Sequence, residues 1–109
     1  FFASWRPTAI ELYLLDGMRE HADGSLELKC PGAIEAAVFG SSSTIELFAL
    51  AAEVESPTTV MWAERGDFPR AVHQGLATAL RNGHFLEAAT GHLVPMENPA
   101  LVIEAVAGS

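Results

Sequence analysis

Residues 57–99 read PTTVMWAERGDFPRAVHQGLATALRNGHFLEAATGHLVPMENP, and the fold is decided there. Pro57 opens an apolar run at 58–63, in which Val60, Met61 and Trp62 are consecutive apolar residues. A strand without polar alternation is one covered on both faces, as in parallel sheets. A charged turn with Glu64 and Asp67 comes next, and 65–69 is read as the connection. Pro69 stands where a helix can begin, and 71–80 is helical, closed by the basic turn Arg81-Asn82 and a glycine stop at Gly83. Residues 84–89 make a second strand, 90–98 a loop with His92, and Pro99 starts a last helix on Leu101, Val102, Ile103 and Val106. Strand, helix, strand and helix in this order predict two parallel strands joined by a right-handed crossover. An acid and an imidazole then stand just past the carboxyl ends of neighbouring strands, the edge where ligands bind in open parallel sheets.

Working outward, residues 5–18 read as a helix with Pro7 in its first turn and Thr8 or a residue near it as the cap. Ile10, Leu12, Tyr13, Leu14 and Leu15 make it apolar almost all round, so it needs cover on more than one side. Gly17 and the polar run 19–25 close it, with Asp23-Gly24 as a turn. Residues 26–30 alternate like a short half-exposed strand, stopped by Pro31. Residues 32–39 form an Ala-rich helix, 40–43 a loop, and Ser43 or Thr44 caps a helix over 45–54. Two strands do not make a stable parallel sheet, because faces and edges need cover. The chain is therefore read as part of a larger fold, an expectation to which its start FFASWRP, without an initiator Met, contributes.

Composition narrows the function classes. The 109 residues carry 14 Asp and Glu against 6 Lys and Arg, a net charge of −8. With so few, unclustered cations the chain is not expected to bind nucleic acid or a membrane surface. Half the residues are apolar, yet no run approaches the roughly 20 needed to span a bilayer. One cysteine, Cys30, excludes an internal disulfide and a cysteine-rich zinc site, which suits a cytoplasmic location. Cys30 is read as a buried small apolar group.

The segments 57–69 and 83–99 resemble the C-terminal part of the α/β-hydrolase fold. Residues 57–69 look like its seventh core strand with the acid-bearing turn. Ala89-Thr90-Gly91-His92-Leu93-Val94-Pro95-Met96-Glu97-Asn98-Pro99 looks like its eighth strand and histidine loop. Tyr13, Gly17, Asp23-Gly24, Leu28, Cys30-Pro31, Glu35-Ala36 and Phe39 resemble the end of the lid of some bacterial members. The resemblance implies an α/β fold in which 1–43 is lid end and linker and 44–109 is the C-terminal part of the core. It implies hydrolysis of an ester or related bond in a small, partly apolar substrate, with no cofactor and no metal. His92 would be the general base and Asp67 the acid that holds its tautomer.

The family's G-x-S-x-G elbow is absent, and Gly40-Ser41-Ser42-Ser43-Thr44 has neither the closing glycine nor a preceding buried strand. The nucleophile is expected on a preceding segment of the same gene product or on a separate chain. A serine there gives esterase- or lipase-like chemistry; an aspartate gives epoxide- or halide-directed chemistry. The competing expectation is a non-catalytic fragment that binds or dimerises through its sheet edge.

The remaining groups have plainer readings. Glu64 competes with Asp67 as the acid but is expected nearer the strand, paired with Arg65 or another base. His73 lies on a polar helix face and His84 starts a strand; neither shows the H-x-x-x-H spacing of a metal site. Trp62 is read as sheet core. Tyr13, Phe39 and Phe48 suit an apolar acyl pocket or ordinary packing. Glu97 is placed to accept from backbone amides of the histidine loop and fix its shape.

Overall fold

A computed structural model describes residues 2–42 and 46–108, which fall into two compact units divided in the mid-forties. The first unit starts with helix α1 (Pro7–Gly17). Pro7 occupies the first turn, where its missing N–H costs nothing. The N-cap is Arg6, close to Thr8, and no side chain of either residue caps the helix. Trp5 is buried between Phe2 (ring centroids 4.9 Å apart) and Tyr13 (5.6 Å), both edge-on. Leu12, Leu14 and Leu15 of α1 are exposed.

The polar run after α1 is not a simple closing loop. Strand β1 (Met18–Glu20) pairs antiparallel with β2 (Leu26–Leu28), Arg19 opposite Glu27. Gly24 turns the hairpin at φ +82°, a conformation glycine adopts without a Cβ clash. The Asp23 carboxylate accepts from the Ser25 hydroxyl and amide, and these bonds hold its carboxyl below the usual carboxylate range. Helix α2 (Gly32–Ser42) runs through Gly40, Ser41 and Ser42, so the expected linker loop is helix up to that point. Good helix formers upstream propagate the helix past one glycine. Cys30 is exposed, contrary to the buried reading, as are the three residues of the short strand just before it. The expected caps Ser43 and Thr44 lie outside the described residues.

The second unit begins with α3 (Leu47–Ala51), shorter than the helix expected over 45–54. Strand β3 (Thr58–Arg65), helix α4 (Arg70–Ala79) and strand β4 (Gly83–Gly91) then form a small parallel unit. Short helix α5 (Val94–Glu97) and helix α6 (Pro99–Ala107) complete the unit, so the expected loop over 90–98 is partly strand and partly helix. Asn98 caps α6 by accepting from the Leu101 amide.

Both faces of the parallel pair are covered, as the unalternating apolar pattern predicts. On one face α4 packs across both strands, and the Arg70 guanidinium lies 5.1 Å from the Phe85 ring centroid. On the other, Ala63, Ala88 and Val94 form the core, with Met61, Leu101 and Val102 packed against it. Phe48 of α3 rests on α4 at Gly75, whose missing side chain leaves room for the ring. The glycine stop at Gly83 is a different device. Gly83 is the first residue of β4, its φ is not positive, and a Cβ there would run into the Ala77 carbonyl oxygen.

Candidate functional site

The site is built at the carboxyl ends of β3 and β4. Through most of the pair the register is regular, Thr58 opposite Gly83 to Ala63 opposite Ala88. It then shifts, and Arg65 pairs with Gly91. Glu64 therefore faces two residues of β4, Ala89 and Thr90. This is a bulge, which bends a strand and re-aims the turn beyond it. One consequence is that His92, the next residue of the chain, comes level with Gly66. A Cβ on Gly66 would lie 3.5 Å from the His92 Cα and 3.1 Å from the Ala63 Cβ. The distance to His92 is that of ordinary van der Waals contact, so the two turns touch; the tight contact that favours glycine is with Ala63 of the same strand end.

Asp67 stands in the turn beside Gly66, just past β3, and His92 just past β4. Both are exposed. The fold brings the two turns together, but among the described residues no hydrogen bond or ion pair joins the Asp67 carboxylate to the His92 imidazole. Glu64 is the penultimate residue of β3, exposed, and not in the turn. It does not pair with Arg65.

Arg65 instead reaches across the strand ends. Its Nη1 donates to the Ala89 carbonyl oxygen (2.9 Å), and its Nη2 lies 3.4 Å from Glu97 Oε2. The same Oε2 accepts from the Gly91 amide at 3.0 Å. Glu97 thus holds the amide that immediately precedes His92, the role expected for it. Its side chain is 9% exposed, against 59% for Arg65. A buried carboxylate needs such donors to offset lost hydration.

A small pocket of about 60 Å³ opens at this end, lined by Trp62, Gly66, Phe68, His73, His92 and Val94 among others. The sequence puts His73 on a polar helix face, yet it lines the pocket with His92. Its signal in the sequence is its place in the first turn of a helix that begins right after the acid turn. Trp62 is half-buried and uses its indole: Nε1 donates to the Phe68 carbonyl oxygen at 2.9 Å. The Phe68 ring lies 5.3 Å from that of His92 and 5.9 Å from that of His73. Thr90, two residues before His92, is buried with its hydroxyl unpartnered.

His84 lies at the opposite end of β4 and takes no part here. Tyr13 and Phe39 belong to the first unit and Phe48 to the second. Tyr13 packs on Phe2 and Trp5. Among the described residues no group of three His, Cys, Asp or Glu side chains is arranged to hold a metal ion, and no helix is long and apolar enough to cross a membrane. Comparison with models of protein families, with curated proteins and with solved structures found no match.

Proposed function

We propose that this chain supplies the acid and the histidine of a nucleophile–His–acid triad that hydrolyses an ester or related bond in a small, partly apolar substrate. The observation that supports the reading is the close approach of Gly66 to the His92 backbone, at the carboxyl ends of two adjacent parallel strands. In this reading the nucleophile and its oxyanion donors come from another segment of the hydrolase, on the same gene product or a separate chain. His92 takes the proton from the nucleophile's hydroxyl as it attacks the acyl carbon, then gives it to the departing alcohol. It next removes a proton from the water that cleaves the acyl-enzyme. Asp67 closes on the imidazole when the site is assembled, fixing its tautomer and stabilising the imidazolium. Catalytic hydrogen bonds commonly tighten only in the complete complex. Were the nucleophile an aspartate, His92 would activate water against the covalent ester instead.

A second reading, a non-catalytic hydrolase-derived piece, draws on the two-stranded sheet: among the described residues, each of β3 and β4 pairs with one neighbour only. Such edges invite pairing with another chain.

The test is a longer gene product, or a co-expressed pair, assayed with p-nitrophenyl esters of short acids. His92→Ala should lower kcat about a thousandfold or more, and Asp67→Asn substantially more than Glu64→Gln. Near-wild-type turnover of His92→Ala in an active assembly rejects the triad role. A homogeneous 11.6 kDa sample that dimerises, while every longer assembly is inert, supports the second reading.

A further inference from the structure

We propose that Phe68 is a positioning residue for the His92 imidazole, held in place from beneath by the indole of Trp62. The inference rests on the reading of His92 as the general base. Phe68 is half-exposed on a turn, where a large apolar ring gains little from burial. Its ring contacts are with imidazoles: His92 at 5.3 Å, inclined at 45°, and His73 at 5.9 Å, inclined at 55°. The backbone of Phe68 is fixed independently, because the Trp62 indole N–H donates to its carbonyl oxygen at 2.9 Å. Trp62 in turn stands on the α4 face of the sheet beneath the Arg70 guanidinium, 6.0 Å from its ring centroid.

The imidazole itself has no such anchor: among the described residues, no side chain on the surrounding elements hydrogen-bonds to it. An exposed histidine without a polar partner samples several χ1 rotamers on the nanosecond scale. An aromatic ring against one side restricts that sampling, since paired rings prefer offset or edge contacts at this separation. Phe68 would thus keep His92 in one rotamer before Asp67 or a nucleophile engages it. His73, one turn into α4 with Nδ1 3.4 Å from the Pro69 carbonyl oxygen, is the second imidazole beside the Phe68 ring.

The test has two arms. In the chain itself, NMR should show cross-peaks between the Phe68 and His92 rings and Hα–Hβ couplings of a single His92 rotamer. Phe68→Ala should average those couplings, Phe68→Tyr should preserve them, and Trp62→Phe should fall between. Averaged couplings already in the wild type, or unaltered couplings in Phe68→Ala, overturn the proposal whatever the chain catalyses. In an active assembly, Phe68→Ala should lower kcat about three- to tenfold with KM little changed, and should cost nothing further in a His92→Ala background. An equal loss in both backgrounds means that Phe68 acts on the fold and not through His92. Full turnover of His92→Ala removes the catalytic role but leaves the first arm to decide the contact.

Discussion

At the scale of the residue, the decisive group is the one that does no chemistry. Glu97 and Arg65 form one ion pair, but removing either end should not cost the same. Glu97 is almost fully buried, and one of its oxygens is shared between the Gly91 amide and Arg65. Truncating it leaves the Gly91 N–H, in a half-buried strand end, without an acceptor. Glu97→Ala should therefore destabilise the chain by about 1–3 kcal/mol. Glu97→Gln keeps an acceptor and should cost less. Arg65 is largely exposed, so Arg65→Ala loses a solvent-screened pair and one hydrogen bond to the Ala89 carbonyl, about 1 kcal/mol or less. Urea unfolding followed by tryptophan fluorescence measures all three. Equal losses for Glu97→Ala and Arg65→Ala would show that burial of the carboxylate is not what anchors the histidine loop.

At the scale of the element, glycine contacts separate close approach from mere flexibility. A Cβ at Gly83 would meet the Ala77 carbonyl oxygen and lie 2.8 Å from the Leu80 Cβ. Both neighbours belong to the end of α4, so only backbone movement could relieve the overlap. Gly83→Ala should cost about 1–3 kcal/mol and loosen the start of β4. At Gly40, inside α2, a Cβ would meet nothing within 4 Å, so Gly40→Ala should strengthen that helix by up to about 1 kcal/mol. Thermal melts with circular dichroism give both signs, and a stabilising Gly83→Ala would contradict the overlap. The same scale shows how much was legible in the sequence. The order of β3, α4, β4 and α6, and the parallel sense of the strands, came from an unalternating apolar run and from Pro and Gly punctuation, which are local signals. The bulge was not legible, because Glu64, Ala89 and Thr90 carry no mark of the register shift; that is a property of two strands together. The β1–β2 hairpin was half legible: 26–28 alternates, but its partner Met18-Arg19-Glu20 is too short to show a period. The position of His92 past a strand end was readable. The ring of Phe68 against it was not, since the contact arises only when two turns meet.

At the scale of the whole molecule, burial is distributed unevenly between the two units. Of the buried residues described, Trp5 alone lies in the first unit, while Ala51, Ala63, Ala77, Ala88, Thr90 and Val94 lie in the second. The first unit, about 40 residues, has no disulfide and exposes Leu12, Leu14, Leu15, Leu26, Ile34, Val38 and Phe39. Ordering its backbone costs roughly 1–2 kcal/mol per residue, and a single aromatic cluster does not offset that. Among its described residues the second unit also buries no large side chain completely, but its sheet is packed on both faces. Local opening should therefore be far easier in the first unit than in the second. Amide hydrogen exchange on the intact chain should show β1 and β2 exchanging close to the unprotected rate, and Val60–Ala63 and Phe85–Ala88 as the slowest segments. Denaturation followed by helix content should then begin before the loss of the Trp62 environment, so the transitions should not coincide. Uniform protection across both hairpin and parallel pair would mean that the exposed leucines of α1 are covered in solution, by a second copy or another polypeptide. Repeating the exchange at several protein concentrations distinguishes those two, because protection by a second copy weakens on dilution and protection by a tightly bound companion does not.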